Sequence, residues 1–190
     1  MKRIFILGTT LCFSSLVWAS SVHSSELSPR QEGTQAIKLL GKTLKSSLIE
    51  KMHLDATGTA AMTFCISQAQ TLTAEVNTKL PSHVEVRRTS LQIRNMSNNP
   101  DETDIQVMQT FKKAVEEKKS SASMMREVKV GEVTRIYKPL LVGKACLKCH
   151  GENISPVLNT TLNAAYPEDN ATGLTLGDFR GVIVAEVAKH

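Results

Sequence analysis

The chain has 190 residues, of which 41% are apolar, 22% charged and only 4% aromatic. This length and composition indicate one globular domain, or a domain with an extension, and exclude a disordered tail, a collagen-like repeat and a protein with many membrane spans. The formal net charge is +5. Because no run of lysines and arginines is interleaved with aromatic residues, a nucleic-acid partner is not supported.

Residues 1–19 have the pattern of a secretory signal peptide. A basic start is followed by an uncharged, mostly apolar segment, and Val17 and Ala19 stand at the two positions that a signal peptidase reads. An uncleaved anchor is disfavoured because the apolar run is shorter than the ~20 residues that a membrane span needs. We therefore expect cleavage after Ala19, export to the periplasm, and no transmembrane span in the mature chain.

The segment that follows is predicted to be mainly helical. Residues 20–33, which are rich in serine near their start, are predicted to be a loose lead-in to a single domain over residues 34–190. From Thr34 to about Leu80 no proline occurs and apolar residues recur at helical spacing. This stretch is predicted to form one long helix, or a pair of helices that meet near residues 53–58.

The rest of the domain is predicted to alternate between strands and helices. The predicted strands are 83–93, 127–130, 133–142 and 181–187, and the predicted helices are 101–118 and 153–166, with a turn over 95–100. A long helical segment before a small antiparallel sheet with crossing helices defines the α+β class.

The chemistry of the chain is concentrated in Cys146-Leu147-Lys148-Cys149-His150. The spacing C-x-x-C-H is the attachment signature of a c-type haem. Two thiols three residues apart can each bond to a vinyl group of the porphyrin, and the histidine that follows can bind the iron. This attachment takes place outside the cytoplasm, so the motif and the signal peptide support each other. We predict one covalent haem c, held by Cys146 and Cys149, with His150 as an iron ligand.

Other interpretations of the cysteines were weighed against this one. A thioredoxin-like redox pair usually has a tryptophan before it and a proline within it, and neither is present here. Cys65, Cys146, Cys149 and His150 would make a Cys₃His zinc set, although structural zinc sites usually combine two close pairs and Cys65 lies far upstream. The zinc site stays open as an alternative, as do a simple disulfide and free thiols.

A second axial ligand of the iron is expected, and Cys65 is one candidate. On a helix its neighbours one turn away are Ala61 and Ala69, whose small side chains would let a flat macrocycle lie close, with Met62 and Leu72 packing against its edge. The pattern equally allows Cys65 to be a small buried filler residue. The other candidate ligands are Met62, Met96, Met108, Met124, Met125, His53, His83 and His190.

Several polar residues have more than one possible role. The candidates to pair with haem propionates are Arg87, Arg88, Arg94 and Arg135. Because neighbouring strand residues face opposite sides, the first two cannot both face the haem. Asn95, Asn98, Asp169 and Asp178 are predicted to form turns or caps. No carboxylate pair, Ser/His/Asp arrangement or marked open haem site supports an enzyme.

Segments spread over the chain resemble a known family. They are RRTS at 87–90, RNMSNNPD at 94–101, YKPL at 137–140 before the C-x-x-C-H motif, YPEDNATG at 166–173 and GDFRG at 177–181. Together they are similar to the exported, PAS-like c-type haem domain family, found as stand-alone periplasmic proteins and as sensor portions of kinases and chemoreceptors. The resemblance implies a PAS-like antiparallel sheet with a long N-terminal helix. It also implies covalent haem c, with His150 and an upstream helical cysteine, here Cys65, as axial ligands.

Two classes of function follow from a haem with both axial positions filled. In the first, the chain is a periplasmic redox or gas sensor, in which release of Cys65 on reduction opens a site for a diatomic ligand and the helix carrying Cys65 transmits the change. In the second, it is an electron-transfer cytochrome that passes electrons to a redox partner protein. The resemblance favours the sensor, and the partner of either would be a separate protein.

Overall fold

A computed structural model describes residues 26–119 and 124–189 of the chain. The predicted signal peptide, the start of the predicted lead-in and the ligand candidate His190 lie outside the described residues. The helices are α1 (Pro29–Leu54), α2 (Thr59–Ser67), α3 (Ala69–Asn77), α4 (Glu102–Glu116), α5 (Leu147–His150) and α6 (Pro156–Ala165). The strands are β1 (Val84–Thr89), β2 (Arg126–Val130), β3 (Val133–Leu141) and β4 (Phe179–Ala188). Short 3₁₀ turns cover Met96–Asn98 and Lys144–Cys146.

Helix α1 begins earlier than the sequence predicts. Ser28 accepts a hydrogen bond from the Gln31 amide, and the Gln31 side chain accepts one from the Ser28 amide, so a capping box starts the helix at Pro29. The last residues of the predicted lead-in are therefore helical. Gly33 is buried among them, where a Cβ atom would lie 2.6 Å from Ile136. This close approach packs the start of α1 directly on the sheet.

The predicted helical segment contains two breaks, so it forms three helices. The first lies where it is predicted, at residues 55–58, where Gly58 has the left-handed φ of 91° that glycine adopts without strain. The Asp55 carboxylate accepts hydrogen bonds from the Thr57 and Ala60 amides and so caps the start of α2. The second break, at Gln68, separates α2 from α3 and has no glycine or proline to announce it.

The strands form one antiparallel sheet in the order β1-β4-β3-β2, which confirms the α+β class with a long N-terminal helix. β1 ends at Thr89, so the predicted continuation to residue 93 is wrong. On the outer edge of β1, the Asn77 side chain bonds both the amide and the carbonyl of Val86. This side chain takes the place of a further strand, because a sheet edge needs partners for its backbone groups.

The sheet separates two apolar clusters. On one face α1, α2 and α3 pack against the even-numbered residues of β1, including Val84 and Val86. On the other face α4 packs against Tyr137 of β3 and Val184 of β4. A third, smaller cluster joins Met62 of α2 to α6. In the described ranges, no helix is long and apolar enough to cross a membrane.

Candidate cofactor site

A cavity of about 240 Å³ lies on the face of the sheet that α1, α2 and α3 cover. The predicted haem-attachment and ligand residues and the small residues beside Cys65 all line it: Cys65, Cys146, Cys149, His150, Ala61, Ala69 and Met62. Cys65 reaches it from α2, whereas the other two cysteines and His150 reach it from the segment that follows β3. Residues separated by more than 80 positions therefore meet at one site because the helical layer folds back over the sheet.

The C-x-x-C-H segment is held by its own backbone. After a 3₁₀ turn ending at Cys146, the four-residue helix α5 closes with a hydrogen bond from the Gly151 amide to the Leu147 carbonyl, 2.9 Å. A Cβ atom at position 151 would lie 2.5 Å from that carbonyl, so the position needs glycine. The Leu174 amide then bonds the His150 carbonyl at 2.9 Å and ties the motif to the loop before β4.

The imidazole of His150 is held in one tautomer. Its Nδ1 lies 2.6 Å from the carbonyl oxygen of Ala171, and because a carbonyl only accepts, Nδ1 carries the proton. Burial lowers the pKa of His150 to about 3, helped by the positive charges of Arg180 and Arg94. The ring is therefore neutral at ordinary pH and keeps a lone pair on Nε2. This is the arrangement of a metal-binding histidine whose other nitrogen is bound by a backbone carbonyl.

Cys65 is a partly buried free thiol on the same cavity. Burial raises its pKa, while the positive charges of Arg88, Arg94 and Arg180 act in the opposite direction. The Tyr166 hydroxyl donates a long hydrogen bond of 3.4 Å to the Cys65 carbonyl. Its thiolate is thus disfavoured by desolvation, but it has three guanidinium groups nearby to offset that cost.

The small residues beside Cys65 lie as predicted, although α2 ends before Ala69. Ala61 and Met62 are 2% and 1% exposed, and both line the cavity. Leu72, expected at the edge of a macrocycle, instead packs into the cluster between the helices and the sheet. The prediction for Leu72 was wrong because it treats residues 59–77 as one unbroken helix.

Within the described residues, the alternative ligand candidates contribute little. Among them only Met62 lines the cavity. Met108 is buried on the opposite face of the sheet, and His83 contacts Glu32. Met52 of α1 does line the cavity and was missed, because the sequence does not show which face of α1 turns inward.

The arginine predictions are only partly met. Arg88 and Arg94 line the cavity, but Arg87 and Arg135 face the other side of the sheet and bind Asp104 and Asp101 there. The propionate hypothesis is therefore wrong for Arg87 and Arg135. The alternation along β1 correctly required one of its two arginines to face away.

Arg180 is a cavity residue that sequence reasoning missed. Its Nη1 donates to the Ser90 hydroxyl at 2.7 Å and to the Gln92 carbonyl at 3.1 Å. Burial and the nearby Arg94 lower its pKa to about 10. Arg180 directly precedes Gly181, the first residue of the last predicted strand, and this position is the sequence signal that could have identified it.

Arg88 is the least satisfied cation in the cavity. Its Nε is buried with no hydrogen-bond partner within the described part of the chain, and its Nη2 lies at 3.5 Å from the Gln70 side-chain oxygen. Among the described residues no carboxylate comes within ion-pair distance of Arg88 or Arg180. A buried cation without a partner is costly, so this end of the cavity favours an anionic ligand.

The rest of the wall divides into an apolar and a polar part. The apolar residues include Leu48, Met52, Ile93, Leu140 and Ala145, and the polar ones include Gln70, Asn95, Asn98 and Tyr166. Asn95 also accepts a hydrogen bond from the Ser97 amide at 2.9 Å, which confirms its predicted turn role. Asp178 likewise binds the Thr175 amide, as predicted for a turn residue.

The donor set does not resemble a zinc site. Cys65, Cys146 and Cys149 are all free thiols. In residues 26–119 and 124–189, no group of three or more His, Cys, Asp or Glu side chains is arranged to hold a metal ion. The geometry therefore supports neither the Cys₃His zinc alternative nor the disulfide alternative.

The fold and the site define an α+β protein with an internal, positively charged cavity that gathers thiols and one neutral imidazole. The chain belongs to the Tll0287-like family, whose sequence profile matches residues 18–188. A similar solved structure is the crystal structure of the cyanobacterial heme-protein Tll0287. It is 20% identical, with a TM-score of 0.63 over 83% of this chain and 92% of that chain, a similarity that shows a shared fold. Among curated proteins, none matches this chain significantly.

Proposed function

We propose that this chain is an exported protein with one covalent haem c, which acts as a redox or small-ligand sensing module and not as an enzyme. The observation that carries the proposal is the meeting of the C-x-x-C-H thiols, a tautomerically fixed His150 and Cys65 at one cavity. Membership of a family that takes its name from Tll0287, a heme protein in the similar structure, adds support.

The residues of the cavity fit a haem in their chemistry. Its wall has an apolar part, suited to a porphyrin ring. It also has the partly buried guanidinium groups of Arg88 and Arg180, which have no carboxylate within ion-pair distance among the described residues and are suited to propionates. Cys146 and Cys149 would hold the group covalently, and His150 and Cys65 would bind its iron. When bound, the haem supplies one-electron redox chemistry and a potential binding position for a diatomic gas.

His150 and Cys65 would have different roles as ligands. The Ala171 carbonyl holds the proton on Nδ1 of His150 and so leaves Nε2 available as a permanent ligand. Cys65 is suited to be the exchangeable ligand, because burial opposes its anionic form while the arginines favour it. A ligand held in such a balance can leave when the charge at the site changes. Its departure would release α2, the helix that would transmit the signal to a partner protein.

The first experiment tests covalent attachment. The mature chain and the variants Cys146→Ala and Cys65→Ala are produced in a host that matures c-type cytochromes and extracted with acidic acetone. We expect the colour to stay with the unmodified protein and with Cys65→Ala. Cys146→Ala should keep only one of the two thioether bonds to the haem, which shifts the reduced α-band. A colourless, zinc-containing protein would overturn the proposal.

The second experiment tests Cys65 as a ligand. Spectra of the unmodified protein and Cys65→Ala are compared in the oxidised and reduced states. We expect the ferric spectrum of the variant to lose its thiolate features and to change towards high spin. Identical spectra in both states would show that Cys65 is filler, leaving haem attachment intact but removing the ligand-exchange mechanism.

An electron-transfer cytochrome is the second candidate, because a haem with two protein ligands is also suited to carrying electrons. Titration with carbon monoxide separates the two functions. A sensor in which Cys65 leaves on reduction binds the gas in the ferrous state, whereas a carrier that retains both ligands binds it poorly in both states. Export is tested separately by fractionating cells and locating the haem protein in the periplasm.

A further inference from the structure

Arg94 joins the C-x-x-C-H helix to the loop before β4. Its Nη2 donates to the Cys149 carbonyl at 2.7 Å and to the Ala171 carbonyl at 3.3 Å. Its Nε donates to the Asp169 carboxylate at 2.9 Å. The side chains of Arg94 and Asp169 are only 9% and 7% exposed, so this ion pair is shielded from solvent. The sequence makes Arg94 a candidate propionate partner, and in the structure its Nε and Nη2 donate to these protein acceptors.

Asp169 completes a closed network around one carbonyl. Its second carboxylate oxygen accepts a hydrogen bond from the Ala171 amide at 2.8 Å. The amide of Ala171 is thus fixed by Asp169, and its carbonyl is fixed by Arg94. The same carbonyl accepts the Nδ1 proton of His150 at 2.6 Å. Next to this network, the Asn170 amide bonds the Ile93 carbonyl at 2.9 Å, which holds the two segments together.

We propose that the Arg94–Asp169 ion pair is the positioning device for His150, because it fixes the Ala171 carbonyl that sets the tautomer and orientation of the imidazole. Both residues act on His150 through the backbone of Ala171. The inference rests on the proposed function, in which His150 is an axial ligand. It assigns Asp169 a role beyond that of a turn residue.

The geometry requires an arginine at this position. Arg94 reaches a carboxylate and two carbonyls at once because its donors lie in a rigid planar fork. A lysine keeps the positive charge, but its compact ammonium group cannot reproduce the fork. Arg94→Lys therefore separates positioning from charge, and Asp169→Asn removes the negative member with little change of shape.

The test uses the haem-loaded, full-length mature protein. Arg94→Lys and Asp169→Asn are compared with Asp178→Asn, a matched control in the same loop whose carboxylate binds the Thr175 amide at 2.7 Å. Solvent exchange of the His150 Nδ1 proton is measured by NMR in the oxidised protein, and the ferric iron is examined by electron paramagnetic resonance. Thermal unfolding of each variant is measured in parallel.

We expect Arg94→Lys and Asp169→Asn to speed exchange of the Nδ1 proton by about tenfold, if the loss matches the smaller effects that outer partners of metal-binding histidines have on metal affinity. Their ferric resonance should shift or broaden, while Asp178→Asn matches the unmodified protein in both measurements. If Arg94→Lys does not accumulate, Asp169→Asn alone carries the test.

Two negative results have different meanings. If both variants lose thermal stability but keep the exchange rate and the ferric resonance of the unmodified protein, the ion pair is merely structural and the inference is overturned. If the unmodified protein shows no covalent haem, the proposed function has failed instead. The inference is therefore judged on the two variants, and the proposed function on the unmodified protein.

Discussion

The two faces of the sheet use the same residue type in opposite ways, as neighbouring arginines on β1 show. Arg87 faces α4, where its guanidinium binds Asp104 through two hydrogen bonds of 2.9 and 3.1 Å and also binds Glu186 at 2.9 Å. Arg88 faces the cavity, where its Nε has no partner among the described residues. On the α4 face both Arg87 and Arg135 have carboxylates within ion-pair distance, whereas Arg88 on the cavity face has none among the described residues.

The charged groups on the α4 face bind one another, whereas Arg88 and Arg180 on the cavity face lack carboxylate partners among the described residues. Asp104 is fully buried and also accepts a hydrogen bond from the Tyr137 hydroxyl at 2.8 Å, so all of its partners belong to the protein. A buried carboxylate of this kind is stable only when cations lie close to it, as Arg87 and Arg135 do here. The incomplete pairing of Arg88 and Arg180 on the other face is costly without an occupant. The cavity therefore has the character of a binding site, whereas the charges on the α4 face stabilise the fold.

The largest expected effect comes from breaking the α4 face. Asp104→Asn should lower the free energy of unfolding by about 3–5 kcal/mol, because it removes the buried negative charge beside Arg87 and Arg135 and one of the two oxygens that accept their hydrogen bonds and that of Tyr137. Denaturant unfolding measures the loss, and the visible spectrum should stay unchanged. Glu116→Gln, on the exposed side of the same helix, is the control, with an expected loss of about 0–1 kcal/mol. A decrease in the free energy of unfolding no larger than that of the control would contradict a stabilising role for the charges on this face.

A moderate effect is expected from removing the unpaired charge. In the haem-loaded protein that we propose, Arg88→Met should lower the reduction potential on the order of 59 mV, about a tenfold change in a one-electron equilibrium, because a nearby positive charge favours the reduced state. Arg87→Met should leave the potential close to that of the unmodified protein while reducing stability. Spectroelectrochemical titration of both variants tests the contrast, and equal shifts would show that the two faces do not differ as described.

The smallest effect concerns the Asp55 cap between α1 and α2. Hydrogen bonds from Thr57 and Ala60 lower the pKa of Asp55 from 3.8 to about 2. A carboxylate with a lowered pKa contributes stability above its unfolded value, and this contribution is lost as the pH falls from about 3.8 through about 2. Asp55→Asn should therefore be slightly less stable than the unmodified protein at neutral pH and equal to it below pH ~2. A difference independent of pH would assign the effect to shape instead of charge.

Much of the architecture was readable from local patterns. The two central strands lie close to the predicted ranges 133–142 and 181–187, as β3 (Val133–Leu141) and β4 (Phe179–Ala188). Misjudged boundaries arose where a single contact decided the outcome. The capping box at Ser28 extends α1 backwards, and the break at Gln68 carries no glycine or proline signal.

The site divides in the same way. The spacing of Cys146, Cys149 and His150 is a local signal, and the spacing of Ala61 and Ala69 around Cys65 suggested a helix face that could approach a ligand. The arginines were harder to assign, because a strand's alternation shows that two neighbours face opposite sides but not which side each one faces. That choice depended on where α4 and the helical layer pack.

The sequence by itself determined the elements, the C-x-x-C-H motif and the candidate residues, because capping, periodicity and motif spacing are properties of a few neighbouring residues. Only the tertiary structure decided that Cys65 meets His150 at one cavity, that Arg180 joins them, and that Arg94 and Asp169 fix the Ala171 carbonyl. These contacts join residues far apart in the chain. Their pairing follows from how the helical layer and the loop before β4 close over the sheet, which no local pattern encodes.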